Sequence, residues 1–283
     1  MQTPTSAEIL VLGGTGKTGR RVVRRLRDRQ LPVRVGSRSG TPPFDWEDRS
    51  TWAPALRGAG SVYLSYHPDL AAPRAVETVG ALAELAVASA VPRLVLLSGR
   101  GEPEAEEAEQ AVRASGAELT IVRSAWFAQN FSEDFLLDGV LGGVVALPAG
   151  DTPEPFVDAD DIADVAVAAL TDDRHIGRRY ELTGPRLLTF AEAVEEIARA
   201  TARDIRFLPV SIEEYAAAAE QHGVPAAAVD LITYLFREVL DGRNAHLGDG
   251  VRRALGREPR DFARYARDAA ASGVFDPDRR AAA

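Results

Sequence analysis

Cysteine is absent from this chain of 283 residues, and lysine occurs once, at position 17. The first absence excludes disulfides, thiolate metal sites and a cysteine nucleophile. The second excludes any mechanism that needs a lysine elsewhere. Positive charge is in deficit, because 33 Lys and Arg against 42 Asp and Glu leave a formal net charge of −9. A broad attraction to nucleic acid or to an anionic membrane is therefore not expected, and a DNA-binding repressor is disfavoured. No apolar run reaches the length of a membrane helix, and residues 1–8 lack a basic stretch followed by a hydrophobic one. The expected location is the cytoplasm, as a monomer or homodimer. His175, His222 and His246 lie far apart among polar segments, so no metal site is expected.

What the chain does have is an alternation of short apolar runs with longer amphipathic stretches. Runs at 9–12, 32–36, 59–65, 93–98 and 119–123 read as buried strands. Segments 17–29, 72–88, 104–115 and 160–170 read as helices between them, with Gly116 at a helix end. This order predicts an α/β fold, a doubly wound parallel sheet of Rossmann type, over residues 1–185. The segment 124–158 reads as its substrate loop. Residues 186–283 read as a smaller, mostly helical lobe, with helices at 189–202 (opened by the capping-box spacing Thr189 to Glu192), 213–222, 226–240 and 259–271.

The first strand runs into Gly13-Gly14-Thr15-Gly16-Lys17-Thr18-Gly19. Glycines at 13, 16 and 19, between a strand and a helix, permit a tight turn and close backbone approach to a pyrophosphate at the helix N-terminus. The spacing is not that of a P-loop. Gly13, Thr15, Gly16, Lys17, Thr18 and Gly19 are thus expected to bind a dinucleotide. At the end of the second strand an acidic residue would mark NAD, but the chain reads Gly36-Ser37-Arg38. Ser37 and Arg38 suit a 2′-phosphate, which predicts NADPH. The alternative is a solvated surface arginine. Tyr66 and His67 follow the strand at 59–65, where crevices of such sheets open, and are candidates for the substrate and for proton transfer. Glu102 to Glu109 read as a solvated helix face, and Asp158, Asp160 and Asp161 as capping and structural residues.

Several blocks resemble the NmrA-like, atypical branch of the short-chain dehydrogenase/reductase superfamily: residues 9–16, 109–130, 156–163 and 255–262. The resemblance covers nearly the whole chain. It implies an NADPH-dependent reductase of the quinone reductase or atypical polyketide ketoreductase type, or else an NADP(H)-sensing regulator without turnover. It also implies that Trp126, Phe127 and Asn130 contact the substrate, with Phe131 and Phe135 either lining that pocket or simply packed. Asp45 is expected near the adenine, with Trp46 beside it ambiguous, and Ser65 near the cofactor. Ser98 matches the superfamily's active-site serine and is expected at the nicotinamide. Ser98 and Tyr66 are the catalytic candidates. The superfamily's Tyr-x-x-x-Lys pair is missing: its positions fall at Gly101 and Ala105.

Overall fold

Leu10 to Leu12, Val62 to Leu64 and Leu94 to Leu96 are each at most 1% exposed, so these strands are covered on both faces, as a central parallel sheet requires. The computed structural model describes residues 7–278. In chain order its elements are β1 (Glu8–Leu12), α1 (Lys17–Asp28), β2 (Val33–Gly36), α2 (Trp52–Leu56), β3 (Ala59–Leu64), α3 (Ala75–Ala88), β4 (Arg93–Gly99), α4 (Pro103–Ala114), β5 (Glu118–Ser124), α5 (Asn130–Glu133), α6 (Leu137–Gly142), β6 (Val144–Leu147), α7 (Ala159–Thr171), β7 (Arg179–Leu182), α8 (Phe190–Thr201), β8 (Arg206–Pro209), α9 (Ile212–Gln221), α10 (Ala226–Val239), α11 (Gly250–Leu255) and α12 (Phe262–Ala271). None of the described helices is long and apolar enough to cross a membrane.

The described residues form two compact units, one of 7–124, 159–182 and 249–257 and another of 125–158, 183–248 and 258–278. The first carries the six-stranded parallel sheet, in the order β2-β1-β3-β4-β5-β7. The strand order reverses beside β1, which makes the β1/β3 boundary the place where a crevice opens at the carboxyl ends. Leu10, Leu12, Val62, Leu64, Leu94 and Leu96 join α3 and α4 in one core. The residues between them point to the other face, because strand side chains alternate. There α1 lies against α7. Arg25 clamps the two helices, donating to Asp160 at 2.6 Å and also to Asp164.

The two units do not meet at residue 185. Residues 249–257 return to the first unit, where α11 lies against β7 and α7. Gly250 makes this possible: a Cβ there would stand 2.3 Å from the Glu181 carbonyl oxygen. Arg257 then pairs with Asp161 at 2.7 Å and Asp164 at 2.6 Å. Segment 125–158 belongs to the second unit, because Phe131 and Phe156 are buried in an aromatic core with Phe190 and Phe262. That unit is not purely helical either, since β6 and β8 pair in parallel from Val144 opposite Arg206 to Leu147 opposite Pro209.

Candidate functional site

The glycine loop is built by close backbone packing. Gly13 has φ +70°, a conformation that favours glycine, and its carbonyl accepts the Gly16 N–H at 2.9 Å. A Cβ on Gly19 would lie 2.1 Å from that same carbonyl oxygen, so the missing side chain lets α1 seat against the turn. Gly16 offers α1 no side-chain cap, and no acidic residue stands in the first turn. The helix N-terminus thus presents its dipole and backbone N–H groups to an anion. Thr15 and Gly16 are exposed. Thr18 is not: it is 3% exposed, and its hydroxyl accepts from the Tyr63 hydroxyl at 3.0 Å. Burial pushes the Tyr63 hydroxyl's pKa up, so it stays a donor. Ser65 is brought against the loop, 3.1 Å from where a Gly13 Cβ would stand.

At the end of β2, the Ser37 carbonyl gathers the N–H groups of Gly40 and Phe44, both at 2.9 Å. This turn holds Arg38 out. Arg38 is exposed and has no carboxylate partner among the described residues. Asp45 is occupied locally: Oδ1 accepts the Glu47 N–H at 3.1 Å, and its carbonyl accepts the Trp52 indole N–H at 2.8 Å. Trp46 sits edge-on to Phe44 and to Tyr66, each at 5.0 Å between ring centroids. Tyr66 is therefore held by packing, whereas His67 beside it is exposed.

Ser98 lies in a buried ionic cluster. Its hydroxyl donates to Glu109 at 2.6 Å, and Arg123 grips the same carboxylate through Nε at 2.8 Å and Nη2 at 2.6 Å. Ser98, Glu109 and Arg123 are 3%, 2% and 7% exposed. Burial disfavours the Arg123 charge, but the bonds and attraction from Glu109, Glu106 and Glu181 outweigh it and raise its pKa. The Ser98 proton is thereby directed at Glu109. This corrects the expectation of a solvated face at 102–109: Glu102 and Glu109 are buried, while Glu106 and Glu107 are exposed. The signal was present in the sequence, since Glu102 and Glu109 share a helical stripe with Ala105, Ala108 and Val112. Gly101 has φ +83° and Ala105 is fully buried. A tyrosine and a lysine at those two places would not suit this backbone and core.

In the second unit, Trp126 packs against Phe190 at 5.7 Å and Phe236 at 5.3 Å between ring centroids. Its indole nitrogen is buried with no hydrogen-bond partner among the described residues. Phe127 forms a bridge to Val157, and Asn130 opens α5 with its N–H on the Phe127 carbonyl at 3.1 Å. Phe131 is fully buried, and so is packing. Asp158 accepts from the Gln129 amide at 2.8 Å. His175 is buried in the first unit against the Tyr180 hydroxyl at 2.8 Å. Among the described residues no group of His, Cys, Asp or Glu is arranged to hold a metal ion.

No family model matches the chain. It is 34% identical to a (4-alkanoyl-5-oxo-2,5-dihydrofuran-3-yl)methyl phosphate reductase of Streptomyces griseus, over 90% of this chain and 95% of that one. It is 31% identical to agroclavine dehydrogenase of Claviceps fusiformis, over 92% and 96% respectively. Among solved structures, an NADPH-dependent quinone oxidoreductase of Escherichia coli, complexed with NADPH, superposes with a TM-score of 0.76. It has 19% identity and covers 91% of this chain and 98% of that one. The chain belongs to the NmrA-like, atypical branch of the short-chain dehydrogenase/reductase superfamily.

As a member of that branch, the chain is matched to a phosphorylated dinucleotide by its own donors. An uncapped, acid-free helix start, in a cradle that a Cβ at Gly19 would fill, suits a pyrophosphate, and an exposed arginine suits a 2′-phosphate. What sequence reasoning did not single out is a pair of carboxyls at the same edge of the first unit. Asp69, after β3, is half-buried and accepts the Ala71 N–H at 2.8 Å, and Glu102, after β4, is buried with its Oε2 unpartnered among the described residues.

Proposed function

We propose that this chain, an NADPH-dependent oxidoreductase, reduces a quinone or a polycyclic aromatic ketone of polyketide type. The observation that carries the substrate class is the occupancy of the Tyr-Lys positions by Gly101 and Ala105, in a chain whose one lysine opens α1. Bound NADPH supplies a hydride. Reduction of an isolated ketone leaves an alkoxide, whose conjugate acid has a pKa of about 16, near that of water. Such an anion needs a strong, dedicated donor. Reduction of a quinone leaves a phenolate-like anion with a pKa of roughly 10 by comparison with tyrosine. A weak acid or water suffices for that anion, and the protein's part is orientation. The quinone and oxo-dihydrofuran named for two of the similar proteins are conjugated acceptors, which supports this reading. Gly13, Gly16 and the N–H groups at the start of α1 hold the pyrophosphate, and Arg38 with Ser37 the 2′-phosphate. Tyr66 and His67 are the first unit's contacts to substrate.

The test compares turnover of naphthoquinones and anthraquinone-like ketones with that of simple aliphatic ketones, at saturating NADPH. The quinoid and polycyclic compounds are expected to react and the aliphatic ones not. Rapid aliphatic turnover would overturn the substrate class.

Cofactor choice gives a second expected result. Arg38→Ala removes a charge-assisted contact worth about 1.5–3 kcal/mol. NADPH affinity then falls by roughly 10- to 150-fold, with NADH affinity unchanged. Titration of nicotinamide fluorescence checks this, and an unaltered NADPH/NADH ratio would refute the role of Arg38.

A further inference from the structure

We infer that the start of β7 carries a second binding site, for a small phosphate monoester, built from three arginines around a buried tyrosine–histidine pair. It is separate from the cofactor loop and does not rest on the reductase reading. In the first unit a cavity of 310 Å³ is lined by Arg174, His175, Arg178, Tyr180, Arg253 and Ala254. Arginines make up half of that lining and no carboxylate belongs to it, in a chain whose net charge is −9. β7 is an edge strand of the parallel sheet, and the cavity lies at its amino end. The glycine loop follows the carboxyl end of β1, with β3, β4 and β5 between the two strands.

The frame of this site is fixed before a ligand arrives. The turn that carries His175 and Arg178 is pinned to β5 and its entry. Thr120 donates its hydroxyl to the His175 carbonyl at 2.7 Å. The Ile121 N–H reaches the Arg178 carbonyl, and the Gly177 N–H reaches the Leu119 carbonyl, both at 2.9 Å. His175 and Tyr180 are 4% and 5% exposed, with Nδ1 and the hydroxyl 2.8 Å apart. Burial lowers the pKa of His175 against the opposing pull of Asp172, with Arg174 adding to burial. Burial also raises Tyr180, against the pull of Arg178, Arg253 and Arg174. Both rings are therefore neutral at pH 7, and the charge of the cavity is that of its arginines.

Those guanidinium groups keep donors to spare. Arg253, on α11, lies over the Tyr180 ring with its guanidinium carbon 5.6 Å from the centroid. Its carboxylate partner is Asp249, at 3.5 Å. Arg174 is braced by Asp172, through Nε at 2.9 Å and Nη2 at 2.7 Å. Arg178 is exposed and has no carboxylate partner among the described residues. A guanidinium has more N–H donors than one carboxylate uses, and its fork matches phosphate oxygens two bonds at a time. A phosphate monoester, near two negative charges at pH 7, answers such a cluster better than a single carboxylate. The volume sits at the low end of the roughly 300–1,000 Å³ of ligand pockets, which suits a sugar phosphate or a mononucleotide. An extended polyanion is disfavoured, because the net charge of the molecule repels it.

The chain has four histidines, so imidazole NMR reads the site directly. The protein, loaded with one equivalent of NADPH, is titrated in turn with ribose 5-phosphate, AMP, inorganic phosphate and a short single-stranded oligonucleotide. Ribose 5-phosphate and AMP are expected to shift the His175 resonances saturably and to leave those of His67, after β3, in place. Ribose and adenosine, which lack the phosphate, leave His175 unmoved. Arg178→Ala weakens ester binding by about 10- to 150-fold, the effect of one lost charge-assisted contact. NADPH affinity and the unfolding midpoint stay as they were, because that side chain is exposed and braces no carboxylate. A His175 signal that neither ester moves, or equal binding by Arg178→Ala, overturns the site. Inorganic phosphate binding as tightly as both esters, or the oligonucleotide binding more tightly than AMP, overturns the ligand class.

Discussion

Gly19→Ala abolishes measurable NADPH binding while the chain stays folded. The added Cβ would lie 2.1 Å from the Gly13 carbonyl oxygen, 2.7 Å from the Gly13 carbonyl carbon and 2.8 Å from the Gly14 Cα. All three are backbone atoms, so no side chain can swing away. The loop must open or α1 must withdraw, and either movement separates the pyrophosphate donors from one another. Overpacking of this kind costs stability by about 1–3 kcal/mol, which a folded unit of this size tolerates. Loss of two charge-assisted bonds, at about 1.5–3 kcal/mol each, weakens NADPH by more than a hundredfold. Fluorescence titration reads the affinity, and circular dichroism establishes that the variant is folded. Affinity within threefold of the unaltered protein would show that the cofactor does not sit in this cradle.

The second large effect is on stability. Arg123→Met leaves the Glu109 carboxylate 2% exposed and deprived of both guanidinium bonds. Breaking one side of a buried pair costs about 3–5 kcal/mol, because the remaining charge is uncompensated. The double variant Arg123→Met/Glu109→Leu removes both charges and recovers most of that loss. Denaturant unfolding measures all three proteins. A loss below about 1 kcal/mol in the single variant, the value of an exposed pair, would show that the cluster is solvated after all.

The glycine loop and the Arg38 turn were legible in sequence because their demands are local. A tight turn, a close approach and a helix start must be met by adjacent residues, and glycines three apart between a strand and a helix meet them. The strands at 62–64 and 94–96 were legible for a similar reason: a strand buried on both faces must be continuously apolar. The return of 249–257 to the first unit was not legible. It is set by Gly250 against Glu181 and Arg257 on Asp161 and Asp164, contacts between distant residues that leave no periodicity behind. β6 and β8 escaped likewise, being four residues each and paired across some sixty, with Val144 and Leu208 exposed.

The central claim is that the chain turns NADPH over and does not merely hold it. The most direct measurement mixes purified protein with excess NADPH and a naphthoquinone, then follows the near-ultraviolet absorbance of reduced nicotinamide, with NADH and the Gly19→Ala variant run in parallel. The account predicts oxidation of many equivalents of NADPH per chain, faster than with NADH and absent in the variant. Tight NADPH binding with no oxidation beyond one equivalent, for quinones and polycyclic ketones alike, would contradict it and identify the protein as a dinucleotide sensor.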